Sequence, residues 1–481
     1  MVVFYYGVLT AGGIVVNFNP LYAEEEIRVQ IEDSECDILV TLDMPLIYDK
    51  AVKMLGTTPL KTIVLVTMAE QLPFPKNLLY RLLRRKSIVT LPTDSRHVSF
   101  KDLCANDGRP EAVEINPQED IAVLQYTGGT TGRPKGAMLT HRNLLTMVSC
   151  FLTDINPVIP GDVILHAAPI THGSGLSLFH HIARGAANAF PPTRNFDPSK
   201  IFAAIQRYRG TTLFAAPTMI NILVESPEKA LYDLSSLHTI FYGGSPMYTE
   251  HILEALQAFG CIFVQIFGQG ESPMTITALP KEEHQVENDP VGLQRLASAG
   301  REVTGVRVRI VDDEDQEVPA GDMGEVLVRS DLVMNGYWNS PEATAETLRG
   351  GWLHTGDLGY VDSGGYLFLT DRKKDMIISG GANIYPREVE EVIAQHPSVF
   401  EVAVIGVPDA LWGESVKALV VAREDARTDE EGIIEYCREL LASYKKPKSV
   451  EFLSSLPKNA YGKVLKRDLR EQYWVGEGRR V

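Results

Sequence analysis

The run Tyr126-Thr127-Gly128-Gly129-Thr130-Thr131-Gly132-Arg133-Pro134-Lys135, closed by Gly136, packs glycines, threonine hydroxyls and two cations into one short loop. Those residue types suit a backbone that must wrap a polyphosphate. Glycine lets the main chain approach phosphate oxygens, hydroxyls and exposed N–H groups donate hydrogen bonds, and Arg and Lys offset charge. An apolar run at 121–124 precedes the loop and a helix-like pattern at 140–149 follows it, so strand, phosphate loop and helix is the predicted order. No Gly-Lys-Ser/Thr follows four variable residues, which excludes a Walker A loop. A surface turn is the competing reading, and the density of glycine and threonine weighs against it.

Other small-residue and acidic clusters make sense if they converge on the same nucleotide. Gly243-Gly244-Ser245 follows a predicted strand at 239–242, and Phe267-Gly268-Gln269-Gly270-Glu271 follows one ending at Gln265. Both therefore lie at strand carboxyl ends, where open α/β sheets bind ligands. Phe267 offers a face to a purine, and Glu271 offers a carboxylate to the magnesium that accompanies ATP. Asp357, in Trp352-Leu353-His354-Thr355-Gly356-Asp357, is predicted in a tight turn and suits ribose hydroxyls. Lys463 follows Gly462 in a turn beside Lys466-Arg467. Each cluster has an ordinary alternative: a common turn, a surface carboxylate, a solvated lysine.

The elements that must position these residues follow from pattern. With 481 residues the chain exceeds what one core supports, so at least two domains are predicted. Over the first three hundred residues β-branched runs alternate with helical patterns, as in parallel sheets covered by helices. Valine-rich alternation at 305–329, with an acidic turn at 312–315, predicts hairpins in a small antiparallel or barrel-like subdomain. Beyond 371–375 an α+β unit begins. Pro386 opens a helix, strands follow at 402–407 and 416–421, and a capping box of Thr428 and Glu431 starts a helix running to about 444. The basic amphipathic segment 78–86 reads as a solvated helix packed on its leucines, with at most weak peripheral membrane contact.

Composition excludes several classes. A hydrophobic fraction of 44% and a charged fraction of 22% describe an ordinary globular chain, and a net charge of −16 argues against nonspecific nucleic-acid binding. The five cysteines form no close pair, which predicts reduced thiols and neither a disulfide framework nor a zinc site. No apolar stretch reaches membrane-spanning length and no signal core is present, so a cytoplasmic location is expected. The opening 1–6 is apolar with no helix cap.

In combination, YTGGTTGRPKG (126–136), FGQGES (267–272), GWLHTGD (351–357), DRKKDMIISGGANIYPREVE (371–390) and NAYGKVLKRDLR (459–470) resemble the adenylate-forming acyl- and aryl-CoA synthetases. The resemblance implies an α/β fold: a large N-terminal part of α/β subdomains plus a small β-barrel, followed by a smaller mobile α+β C-terminal domain. Its boundaries would be 1–371, with the β-rich part at about 303–371, a hinge at 372–375 and a lid at 376–481. By motif position, Thr127, Gly128, Gly129, Thr130, Thr131, Gly132 and Lys135 would cradle ATP phosphates. Gly243, Gly244, Ser245 and Phe267 would surround adenine, and Gly268, Gln269 and Gly270 would belong to the same nucleotide site. Asp357 and Arg372 would bind ribose, Glu271 with Thr127 would hold Mg2+, and Lys463 would act in adenylation. His172 would stand at the acyl entrance, Lys374 at the hinge, and Gly380 and Gly381 along the coenzyme A channel.

The reaction implied joins a small-molecule carboxylic acid, through an acyl-adenylate, to coenzyme A. A fatty acid of long or medium chain is expected; an aryl-acid ligase of benzoate or coumarate type and an adenylation domain loading a carrier protein are the alternatives. Gly173, Gly175, Gly244 and Gly270 are expected to leave the acid pocket roomy, and a homodimer stays open. Two departures stand out. Phe267 and Gly270 replace the family's usual Tyr and Thr, and Tyr461 stands where Thr or Ser is commoner. Family members carry further elements before the segment matching 2–20, which leads to the expectation of an N-terminally truncated chain.

Overall fold

The computed structural model describes residues 2–20, 22–84, 87–109, 111–127, 134–171, 173–193, 196–245, 247–286, 289–372, 374–423, 426, 428–459 and 462–474. The chain divides into two compact units, Met1–Arg142 with Met334–Ala345, and Asn143–Val333 with Glu346–Val481.

The described residues of the first unit include the strands β1 (Val15–Val16), β2 (Ile38–Leu42), β3 (Thr62–Val66), β4 (His97–Ser99), β5 (Ile121–Thr127) and β6 (Lys135–Thr140). Parallel strands β2, β3 and β4 make one sheet, and β1, β5 and β6 make another. Helices Glu24–Ser34 and Pro45–Met54 bury Ile27, Ile31, Tyr48 and Met54 with Ile63 and Leu65 of β3. The first of these helices is fixed by its own sequence: three glutamates occupy its first turn, and Glu26 accepts from the Ala23 amide at 2.7 Å. The helix Lys76–Leu83 buries none of its residues, so the expected packing on its leucines does not occur.

Strands β5 and β6 flank the predicted phosphate loop. β5 and β6 pair antiparallel, with Thr127 opposite Lys135 and Tyr126 opposite Gly136, and the helix His141–Cys150 comes only after β6. The helix predicted at 140–149 is found at His141–Cys150, and what the pattern did not announce is the strand 135–140 before it. Gly136 lets β6 pass beneath the Tyr126 ring, whose atoms would lie 3.3 Å from a Cβ at that position. Trp338 donates its amide to the Gly136 carbonyl at 2.8 Å, which holds the other edge of β6. A strand thus stands between the predicted phosphate loop and the helix that follows it.

The second unit carries a seven-stranded sheet of β7 (Val163–Leu165), β8 (Ala187–Ala189), β9 (Thr212–Ala215), β10 (Thr239–Tyr242), β11 (Phe263–Phe267), β12 (Thr277–Leu279) and β13 (Arg301–Glu302). Its order is β13-β12-β11-β10-β9-β7-β8, parallel from β11 to β8 and antiparallel at β12 and β13. Ile201, Phe202, Ile205, Ile220 and Ile252 from flanking helices pack on Leu213, Ile240 and Phe263, a buried core of the kind near-continuous apolar strands require. A four-stranded antiparallel sheet follows, β14 (Arg307–Val311), β15 (Gly324–Arg329), β16 (Leu353–Val361) and β17 (Leu367–Arg372), in sequence order. The last part contains β18 (Ile377–Ser379), β19 (Ala382–Ile384), β20 (Val399–Asp409), β21 (Gly413–Ala422) and β22 (Ser449–Phe452) in one sheet, packed by helices Pro386–Ala394 and Glu430–Leu440.

Pro386 does occupy the first helical turn. The later helix is capped one residue beyond the predicted position: Asp429, not Thr428, accepts from the Gly432 amide at 2.9 Å, and the helix stops at Leu440. A carboxylate at the helix start also meets the positive end of the dipole, an advantage a hydroxyl lacks.

At Gly243, after β10, a Cβ would sit 2.2 Å from the Ile266 carbonyl oxygen, a backbone atom that cannot step aside. Gly243→Ala is expected to lower unfolding free energy by about 1–3 kcal/mol, measured by urea denaturation. An unchanged midpoint would show that this close approach of β10 to β11 is absent in solution.

Candidate functional site

The second unit assembles a charged cluster at the end of β17. Asp357 and Arg372 are register partners across β16 and β17, and the guanidinium Nε lies 3.1 Å from Asp357 Oδ1. The sequence pattern predicts Asp357 in a tight turn; the structure puts it inside β16. Gly356, at φ 68°, and a register irregularity at Leu358/Gly359 bend the strand without ending it. The Gln269 amide donates to Asp357 Oδ2 and also to the Thr355 carbonyl at 3.0 Å, tying the loop after β11 to β16. An ionised carboxylate has about four acceptor directions. Among the described residues two are engaged, by Arg372 and Gln269, and the other two directions suit a vicinal diol.

Lys463 shares this environment. Its turn is built by the Lys463 amide donating to Asn459 Oδ1 at 3.1 Å and the Gly462 amide donating to the Asn459 carbonyl at 3.0 Å. Gly462 has φ 79°, and a Cβ there would come 2.2 Å from Thr218 Oγ1. The turn thus rests on the helix Pro217–Glu225. Arg372 first, and burial second, push the Lys463 ammonium down to about 8, against the opposing pull of Asp357 and Asp375. Burial, helped by Arg372, also lowers Lys374. These cations are gathered more densely than the neighbouring carboxylates offset, which makes the cluster receptive to an anion.

Behind it stands a group that the sequence pattern did not single out. Lys466 lies 2.7 Å from Glu390 and 3.8 Å from Asp371, and the Arg387 amide donates to Asp371 at 2.9 Å. Burial raises the Asp371 carboxyl to about 6. Lys466 is therefore a structural cation and not an extension of a basic run. Arg470 pairs with Asp375 at 2.6 Å and donates to the Lys374 carbonyl at 3.3 Å, clasping the predicted hinge to the helix Lys466–Glu471. The sole hint of this in the sequence is the basic residue three positions beyond Lys463.

The remaining predicted residues fall in several places. Gly268 allows close approach, since a Cβ would meet the Met274 backbone nitrogen at 2.4 Å, whereas Gly244, at φ 82°, has nothing within 4 Å. Ser245, Gly270 and Glu271 are half-buried, and Phe267 packs partly on Ala299, Ile310, Val326 and Leu367. Gly380 and Gly381 form the turn between β18 and β19, with the Gly380 amide donating to the Trp412 carbonyl at 2.8 Å. In the first unit, Thr127 and Lys135 end β5 and begin β6, and the Lys135 ammonium lies 5.2 Å from the Tyr337 ring centre. Gly128, Gly129, Thr130, Thr131, Gly132, His172 and Tyr461 lie outside the described residues. Gly175 does not provide the expected room: the Ile170 carbonyl oxygen lies 2.0 Å from where its Cβ would be. The segment folds back on itself there, and Ser174 donates to the Pro169 carbonyl.

The AMP-binding enzyme family profile matches residues 1–338, and the AMP-binding enzyme C-terminal domain profile matches residues 388–463. A long-chain-fatty-acid–CoA ligase of Bacillus subtilis is 39% identical over 98% of this chain and 83% of its own. A feruloyl-CoA synthase of Amycolatopsis is 39% identical over 77% of this chain and 74% of its own. The crystal structure of ATP-bound MatB from Rhodopseudomonas palustris superposes with a TM-score of 0.82 at 32% identity, covering 98% of this chain and 86% of that one.

The lowered Lys463 value has a pH signature. Between about 8 and the ordinary 10.5 the unfolded chain holds a proton that the folded chain has lost, so this lysine's contribution to stability improves as pH rises through that window. Any reaction of the free protein that needs the ammonium should instead fall away above pH of about 8. Arg372→Gln removes the largest cause and should move that alkaline limb upward, read from kcat/KM against pH. A limb that stays in place would separate Lys463 from the activity or from Arg372.

Proposed function

The chain belongs to the AMP-binding enzyme family, and on that premise we propose that it is an ATP-dependent, AMP-forming ligase joining a long- or medium-chain fatty acid to coenzyme A. The observation that carries the reading is the convergence of Lys463, Arg372 and Asp357 in one anion-receptive cluster. Likeness to a long-chain fatty-acid ligase supports the acid class. The equal identity of a feruloyl-CoA synthase favours an aryl acid as the second reading.

A carboxylate is a poor acyl donor because its leaving group would be oxide. In the proposed first step a carboxylate oxygen attacks the α-phosphorus of ATP, the bond to the β-phosphate oxygen breaks, and pyrophosphate leaves. Lys463 and Arg372 offset the charge that gathers between two anions, and Asp357, held by Gln269, accepts from the ribose hydroxyls. Thr127 and Lys135 bracket the loop 128–133 that would wrap the phosphates. In the second step the coenzyme A sulfur attacks the acyl carbonyl, its proton passes to solvent, and AMP departs.

Glu271 supplies a half-buried carboxylate just after β11, and among the described residues no group of three or more His, Cys, Asp or Glu is arranged to cage a metal. That donor set fits Mg2+, which is held by one or two protein oxygens together with substrate phosphates. Glu271 would hold it, and the ion when bound supplies positive charge to the phosphates.

Residues 376–481 would act as a lid turning at Lys374, which would exchange Lys463 for Gly380 and Gly381 between the two steps. The part preceding it would be 1–371, with a β-rich section at about 303–371. Among the described residues no helix is long and apolar enough to cross a membrane, and all five cysteines are free. A cytoplasmic site of action fits the free thiols.

Pyrophosphate release with ATP and coenzyme A, scanned over fatty, aromatic and short acids, should be fastest with a fatty acid. Faster release with aromatic acids would select the second reading, and release with none would overturn both. Lys463→Ala should slow acyl-adenylate formation roughly 10²–10³-fold yet leave thioester formation from supplied adenylate intact. Equal loss of both steps would remove Lys463 from a role confined to adenylation.

A further inference from the structure

The helix Lys76–Leu83 is turned with its apolar side outward. At 100° per residue, Leu78, Leu79, Leu82 and Leu83 share an arc of about 140°, and they are 52%, 56%, 76% and 74% exposed. Asn77 and Tyr80, on the opposite side, are the half-buried positions. Phe74, just before the helix, is 77% exposed. A helix that stabilises a core shows the reverse orientation. These leucines contribute nothing to the core of the unit that carries them.

The same stretch has charge of one sign. From Pro73 to Lys86 the sequence contains Lys76, Arg81, Arg84, Arg85 and Lys86 and no acidic residue, in a chain of net charge −16. Lys76 and Arg81 border the two edges of the leucine arc. Arg81 reaches Glu70 only at 3.9 Å, and its side chain stays 58% exposed.

We propose that the helix Lys76–Leu83, with Phe74, docks on the surface of a bilayer rich in anionic lipids. The leucines enter the boundary between headgroups and acyl chains, and the cations meet the lipid phosphates. Charge complementarity selects this occupant. An anionic bilayer offers an apolar layer directly beneath negative groups, which is the order in which this helix presents leucines and flanking cations. A second copy of the chain would set like cations against one another. One short helix binds lipid only marginally, so the attachment is peripheral and reversible. The inference rests on the helix alone and takes from the fatty-acid reading only its use: a bilayer is where such an acid accumulates.

The test is co-sedimentation of the full chain with vesicles of phosphatidylcholine alone and of equimolar phosphatidylcholine and phosphatidylglycerol, at low and high salt. Binding is expected only to the anionic vesicles and should weaken as salt rises. Each basic side chain near such a surface contributes about fivefold, so Arg81→Gln with Arg84→Gln should lower partitioning roughly 25-fold. Leu78→Gln with Leu82→Gln should abolish it, while thermal unfolding and pyrophosphate release with a short soluble acid stay unchanged. The inference is overturned by a wild-type chain that remains in the supernatant with both vesicles, or by variants that sediment as the wild type does. Leucine variants that change the sedimentation coefficient of the free protein without changing vesicle binding would also overturn it, in favour of a protein partner. None of these readouts depends on acid activation, so failure of the docking and failure of the ligase reading are separate results.

Discussion

The pairing of Asp357 with Arg372 governs the chemistry of the second unit. Without the carboxylate, Arg372, Lys374 and Lys463 would bring three cations into a confined, partly dry space, where mutual repulsion is screened far less than in water. With it, one charge is offset and the remainder is left to find an anion. The pair is also a strand register: because Asp357 and Arg372 face each other across β16 and β17, a one-residue slip of β17 would turn Arg372 to the opposite face and away from Asp357. Fold and charge balance are thus specified by the same hydrogen-bonded ladder.

Much of this is legible in the sequence because it is local. Alternation announces the antiparallel section, Pro386 announces its helix, and glycine clusters after β10 and β11 mark where the backbone runs close. What escapes depends on partners distant in sequence. Whether Asp357 lies in a turn or a strand is decided by β17, and whether Lys466 is free or structural is decided by Glu390 and Asp371. Gly175 reads as open space until the Ile170 carbonyl is seen to occupy it. The leucines of Lys76–Leu83 show the deepest limit: periodicity reveals that a helix has an apolar side but not which way that side faces.

The phosphate loop teaches a related lesson. Its composition implies a polyphosphate cradle opening into a helix, yet β6 intervenes. A hairpin holds its loop by two strands instead of by one strand and a dipole.

Residues beyond 375 meet the rest of their unit through polar contacts and through the Tyr248 ring, which packs on the core of the last sheet. Arg423 pairs with Glu225 at 2.8 Å and Glu254 at 3.2 Å, Tyr248 donates to Glu390 at 3.2 Å, the Thr249 amide donates to Glu391 at 2.9 Å, and Thr218 donates to the Gly462 carbonyl at 3.4 Å. The Arg423 pairs are partly exposed and are traded for water at small net expense, whereas Glu390 is buried and the Tyr248 ring packs on the apolar core beside it. Dissolved ions compete directly with the exposed Arg423 pairs, so rising ionic strength loosens that part of the seam first and leaves its buried part in place.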